Sequence, residues 1–156
     1  MRTITLKTQI KAPIERCFDL STSIDLHKIS ATKTKEEAIA GTTSGLIKIN
    51  ESVTWRAKHF GIWHKMTVKI TAYEQPNYFI DEMTKGTFKF MKHKHEFLPN
   101  ESGTLMIDTF EFSSPLGILG RMVDRFILKS YMTNFLKERN MVIKQFAESD
   151  RWKEVL

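Results

Sequence analysis

Residues Ser113–Val155 read SSPLGILGRMVDRFILKSYMTNFLKERNMVIKQFAESDRWKEV. Pro115 and Gly117 interrupt whatever precedes, and after Gly120 neither Gly nor Pro occurs. Met122, Phe126, Met132, Phe135, Val142 and Phe146 recur at helical spacing, with Arg121, Asp124, Lys129, Lys137, Glu138 and Lys144 between them. That stripe predicts one long amphipathic helix beginning between Gly117 and Met122. Phe126, with Met122 and Tyr131, is expected to face inward near one end of it.

Upstream, the period changes from helical to alternating. Thr3–Lys11 places Ile4, Leu6, Thr8 and Ile10 on one face, the mark of a half-buried strand. Two short helices follow, over Pro13–Leu20 and from Thr22 to about Lys28, the second opened by a capping box of Thr22 and Asp25. Strands are then predicted over Lys35–Ala40, Glu51–Phe60, Trp63–Tyr73, Tyr78–Met83, Phe88–Phe97 and Thr104–Ser113, separated by Gly-, Pro- and Asn-rich turns. Connections this short join antiparallel neighbours, and no crossover helix lies between them. The expected fold class is α+β: a curved antiparallel sheet of six or seven strands wrapped around the long C-terminal helix, as one domain over residues 1–156.

Composition narrows the functional classes. The chain is 41% hydrophobic and 27% charged, as in ordinary globular proteins, and its eleven Phe and eight Met give a soft, adaptable interior. A formal net charge of +6 would favour anionic lipid or nucleic acid, but Lys and Arg are spread along the chain and interleaved with acids, as on a solvated surface. DNA is not an expected partner. The single Cys17 excludes an internal disulfide and a cysteine-built metal site, and reads as a small buried hydrophobe. The N-terminus lacks a signal-type apolar core, and no stretch reaches the ~20 apolar residues of a membrane span, so the expected compartment is the cytoplasm.

The ordered set of segments resembles the START-like, or Bet v 1-like, helix-grip superfamily, also called the polyketide cyclase/dehydrase group. The marks are IKAPIERCFDL at Ile10–Leu20, TWRAKHFG at Thr54–Gly61, KITAYEQPNYFIDEM at Lys69–Met83 and SSPLGILGRMVDRFILKSYM at Ser113–Met132. The resemblance covers essentially the whole chain and is nearest to small bacterial stand-alone members. It implies a hydrophobic cavity for a lipid, polyketide or other apolar molecule. The superfamily also holds cyclases, hydrolase-like members, co-chaperones and ribosome-directed proteins, so fold alone does not select a function.

Strand parity selects the candidate ligand-binding residues. Trp55 and His59 share one face of their strand, His64 and Met66 of the next, Met91, His93 and His95 of a third, and Met106, Asp108 and Phe110 of a fourth. Met122, Phe126 and Tyr131 complete the set from the helix. Four of the five His therefore fall on inward faces beside Asp108. Buried His most often satisfies neighbouring polar groups, yet a His93–Asp108 pair also has the form of a general base. His93 and His95 have no third ligand nearby in sequence, so no metal and no cofactor is expected. Asp81 and Glu82 point to opposite faces of a strand and do not converge. Trp63 is a candidate for a pocket mouth, and no activated Ser or Cys–His pair is apparent.

Three functions compete on these grounds. The first is a binding or carrier module for a small hydrophobic molecule. The second is a cyclase- or hydratase-like enzyme acting through His93 and Asp108 on an apolar substrate. The third is an RNA- or ribosome-associated protein, resting on charge alone.

Overall fold

The computed structural model describes residues 1–156. Seven strands form one antiparallel sheet in the order β1-β7-β6-β5-β4-β3-β2. They are β1 Arg2–Ile10, β2 Glu37–Gly41, β3 Ser52–His59, β4 Ile62–Glu74, β5 Tyr78–Lys85, β6 Phe90–Asn100 and β7 Gly103–Ser113. From β2 to β7 the chain is a meander, and β1 joins β7 from Arg2↔Phe112 to Ile10↔Thr104. Helices α1 (Ile14–Thr22) and α2 (Ile24–Ser30) fill the connection between β1 and β2. The C-terminal helix comprises α3 (Gly117–Val123), a π-helical turn (Asp124–Leu128) and α4 (Lys129–Ala147). The arrangement is a helix-grip fold, a curved sheet closed on a long helix.

Alternation decides which face is inside. Met91, His93, His95 and Phe97 of β6 are buried, as are Thr104, Met106, Asp108, Phe110 and Phe112 of β7, while the residues between them are partly exposed. In β4 the parity breaks. Its register against β5 shifts between Ile70 and Ala72. Tyr73 therefore turns to the core, where its ring meets Phe18 edge-on at 5.2 Å. Simple alternation puts Ala72 on the inner face; the bulge inverts the strand beyond Ile70.

Phe18 of α1 also meets Phe79 and Phe97 edge-on, at 5.5 and 5.4 Å. Leu136, Ile143, Phe146 and Ala147 of α4 close the same core. The close neighbours of α4 are β1, α1 and α2. The helix thus grips one side of the sheet and stands off the concave face of β3 to β6. Helix α2 begins one residue later than the Thr22–Asp25 box predicts. Ser23 is its cap, the hydroxyl accepting from the Leu26 N–H at 3.1 Å. The Thr22 hydroxyl donates to the Asp19 carbonyl instead, and the Asp25 carboxylate accepts from the Gly45 N–H.

The stripe through Met122 and Phe126 faces outward, not inward. Met122 is 55% exposed and Phe126 66%. The π-helical turn is the reason: one extra residue per turn rotates everything before it relative to α4. The inward positions become Gly120, Asp124 and Leu128, four apart, continuous with Met132, Leu136 and Asn140. Asp124 is buried and accepts from the Ser114 backbone N–H at 3.0 Å and from the Ser114 hydroxyl. Phe126→Ala is therefore expected to change unfolding free energy by no more than about 0.5 kcal/mol, as for exposed sites generally. Urea denaturation checks this, and a loss of core size would return Phe126 to the interior.

Candidate functional site

The space between α4 and the concave face forms two adjoining lobes. The inner lobe holds about 120 Å³ and reaches β3, β4, β5, β6 and α2. The outer lobe holds about 250 Å³ and opens beside the β3–β4 hairpin and the π-helical turn. Glu36, Trp55, Met66, Phe88, Met132 and Phe135 border both. Apolar walls predominate: Ile24, Ile47, Val53, Val68, Ile70, Phe79, Met91 and Phe110 line the inner lobe alone.

One polar network closes the inner end. His93 Nε2–H donates to Asp108 Oδ1 at 2.8 Å, and Asn140 Nδ2 donates to Asp108 Oδ2 at 2.7 Å. Arg139 Nη1 lies 3.5 Å from Asp108 Oδ1. His95 sits between two carboxylates, its Nε2 2.7 Å from Asp81 Oδ1 and its Nδ1 3.2 Å from Asp108 Oδ1. The second contact is electrostatic, since Nδ1 has no partner in hydrogen-bonding geometry. The His93 and His95 rings lie 3.7 Å apart, and His95 stacks on Phe79 at 4.1 Å. Adjacent inward positions on β6, β7 and β5 bring these groups together, with Asp108 opposite His95 and Asp81 opposite His93 in the ladders.

Burial sets the charges. It pushes the His93 ring down to about 4, helped by neighbouring His95 and opposed by Asp108. Burial would raise Asp108, but the contacts with His93, His95 and Arg139 outweigh it and hold the carboxyl well below its ordinary value. Asp81 is likewise held down, burial being outweighed by its bond to His95. Near neutral pH, His93 is thus a neutral ring fixed by an ionised carboxylate. An unfolded histidine titrates near 6.5, so between about pH 6.5 and 4 the unfolded chain binds a proton that native His93 refuses. Stability is expected to fall with pH across that window, by up to about 1.4 kcal/mol per unit from this ring. Half-buried His59, also shifted down by desolvation, acts in the same direction. His93→Gln keeps an N–H donor and cannot titrate, so urea melts from pH 7 to 4 should show a shallower slope. An unchanged slope would assign the proton elsewhere.

The outer lobe is more aromatic. Trp55, Phe60, Phe88, Tyr131 and Phe135 surround it with His59, His64 and Glu36. His59 Nδ1 and the Tyr131 hydroxyl are hydrogen-bonded at 2.6 Å. Burial pushes the Tyr131 phenol up, so it remains protonated.

The structure divides the sequence candidates among these places. Met91, His93, His95 and Phe110 line the inner lobe, His59, His64 and Tyr131 the outer, and Trp55 and Met66 both. Asp108 is fully buried behind the histidines and does not border the cavity. Met106 is fully buried and lines neither lobe; Ser21 Oγ lies 3.7 Å from its sulfur. Met122 and Phe126 lie outside, and Trp63 is exposed, with the Arg56 guanidinium 4.3 Å from its ring centre. Alternation misses Asp81, Glu36, Arg139 and Asn140. Asp81 carries a signal in its own strand, where Phe79, Asp81 and Met83 share parity. Arg139 and Asn140 fall at helical spacing from Leu136 and Ile143. Glu36 shares the parity of Ala38 in the strand predicted over Lys35–Ala40, but β2 begins at Glu37 and its register against β3 shifts between Ala38 and Ala40, so alternation there is too short to single it out.

One group has metal-ligand geometry. Asp81, His93 and His95 present ligand atoms within 4.8 Å of one another. Asp81 is the third ligand that the spacing of His93 and His95 does not show. Nε2 of each histidine is already bonded to a carboxylate, so a cation would have to displace those bonds.

No protein-family model matches the chain, and no characterised protein matches it in sequence. Solved structures do match its shape. TTHA0849 from Thermus thermophilus superposes with a TM-score of 0.72 at 18% identity, over 91% of this chain and 97% of that one. Major latex-like protein 151 from Panax ginseng gives 0.70 at 14%, over 95% and 98%. Protein CV1439 from Chromobacterium violaceum gives 0.70 at 12%, over 96% and 99%. These likenesses are of fold. No helix of the chain is long and apolar enough to cross a membrane.

Proposed function

We propose that the protein binds or carries a small, mainly apolar molecule between the sheet and α4, with residues 1–156 acting as one ligand-binding domain. The observation that carries this reading is an apolar cavity closed at its inner end by a polar cluster held on rigid strands. Apolar walls retain a ligand and a few convergent polar groups orient it. Met66, Met91 and Met132 make the walls adaptable. In this reading, Trp55, His59, His64, Met66, Met91, His93, His95, Phe110 and Tyr131 contact the ligand. Asp108 positions His93 from behind. The buried, unpaired Cys17 suits work in the cytoplasm.

Native mass spectrometry of freshly purified protein tests the proposal. The expected result is an added mass of a small organic molecule, released on denaturation, or uptake of an added apolar molecule at one equivalent. A bare chain that takes up none would overturn it.

The His93–Asp108 bond favours a second reading, proton transfer on the bound molecule. A neutral imidazole bordering the cavity and fixed by a carboxylate has the form of a general base. His93→Gln would then retain binding and lose turnover. If turnover of the bound molecule persisted in that variant, the catalytic reading would fail.

A further inference from the structure

The reading above leaves open the chemistry of the ligand's polar end. Resting on it, we propose that the ligand carries a cationic amine and that the Glu36 carboxylate receives it. Glu36 stands where the two lobes meet. Its side chain is 7% exposed. Oε1 is 3.0 Å from His27 Nε2, a bond that a neutral imidazole can donate, whereas Oε2 is buried with no hydrogen-bond partner. A buried carboxylate oxygen without a donor is costly, and a ligand ammonium would supply that donor. The rings of Trp55, Phe88, Tyr131 and Phe135 border the same space, a lining that suits a cation.

The charge inventory points the same way. Glu36 and Asp81 border the cavity, and no lysine lines either lobe. The one permanent cation there, Arg139, already faces Asp108. His93 and His59 are held toward the neutral form by burial. An anionic headgroup would find no unpaired lysine or arginine, only the imidazoles of the lining, His27, His64 and His95 among them, while an ammonium would meet an unpaired carboxylate oxygen.

Tryptophan fluorescence titration with decylamine, 1-decanol and decanoate, matched in chain and differing in headgroup, reads the preference. Decylamine is expected to bind at least about tenfold tighter than decanoate. Glu36→Gln should abolish that preference while 1-decanol still binds. The ranking in the unaltered protein stands even if the variant folds poorly. Decanol or decanoate binding as tightly as decylamine would overturn the amine assignment and leave the cavity reading intact. Failure of all three to bind would overturn both. A decylamine preference that survives in folded Glu36→Gln would remove Glu36 from the site.

A second inference rests on a separate observation. Leu116, Ile118, Leu119, Met122, Phe126 and Ile127 are each more than half exposed around α3 and the π-helical turn. The charged side chains exposed among them, Arg121, Arg125 and Lys129, are all cationic, and the segment's one acid, Asp124, is buried. The segment runs directly into Leu128 and Tyr131 of the outer lobe, and Phe60, also exposed, stacks near Tyr131 at 4.6 Å. We infer that this face docks on an anionic lipid surface, its apolar side chains entering the interface and its cations meeting headgroups. Co-sedimentation with vesicles of phosphatidylcholine alone, and mixed with phosphatidylglycerol in about equal parts, tests it. Binding is expected only to the mixed vesicles, weakened by salt and by Met122→Ser with Phe126→Ser. No binding to mixed vesicles would overturn the inference. So would a dimer in sedimentation equilibrium that the same two substitutions dissolve, which would assign the face to a second copy of the chain.

Discussion

Asp108→Ala is expected to lower the unfolding free energy by about 3–5 kcal/mol, the range for breaking a buried ion pair from one side. Asp108 is fully buried and accepts from His93 and Asn140, with Arg139 3.5 Å away. Removing the carboxylate leaves buried Arg139, 7% exposed as a residue, without its counter-charge and two N–H donors without an acceptor. Arg139 and Asn140 belong to α4 and His93 to β6, so the same carboxylate ties the helix to the sheet. Asp108→Asn keeps the shape and loses the charge, and should fall between wild type and Asp108→Ala. Urea denaturation near pH 7 measures both. A loss below about 1 kcal/mol for Asp108→Ala would mean that Arg139 reaches solvent and that the network does not hold the helix.

Phe146→Ala is expected to cost about 3–5 kcal/mol as well, through a different mechanism. The ring is 1% exposed, belongs to the main core cluster, and lies 4.2 Å from the Arg151 guanidinium. It sits in the last turns of α4, far along the helix from the cavity mouth. Truncation opens a void between well-packed elements that cannot collapse without moving the helix. Phe126→Ala is the internal comparison: the same residue type on the same continuous helix, on the outward face, with almost no expected cost. Similar costs for the two changes would contradict the rotation of the stripe at the π-helical turn.

Where backbone geometry is regular, the site is legible in the sequence. Unbroken alternation along β6 and β7 is enough to place His93, His95, Asp108 and Phe110 on the inner face, because side-chain period two leaves no alternative in a strand without bulges. Legibility ends where one residue is inserted. The bulge beyond Ile70 moves Tyr73 inward in place of Ala72. The π-helical turn exchanges Met122 and Phe126 for Gly120, Asp124 and Leu128. Both insertions come without Pro or Gly to mark them. Polar residues are hidden for another reason. Arg139 and Asn140 are buried because they satisfy one another and Asp108, and half-buried Asp81 is held by His95, a property of the assembled set that no single position announces. Glu36 shares parity with Ala38, but it stands just before a short strand whose register shifts after Ala38, so its place against both lobes is set by the tertiary structure.

The claim that the cavity takes an apolar molecule is tested most directly by NMR of the methionine methyl groups. Met66, Met91 and Met132 line the cavity, whereas Met1, Met122 and Met141 are exposed outside it. Titration with a neutral aromatic probe, N-phenyl-1-naphthylamine, should shift the three lining methyls along one saturable curve and leave the three exposed ones in place. Lining methyls that never move, or shifts confined to Met122 on the outer face, would contradict the account.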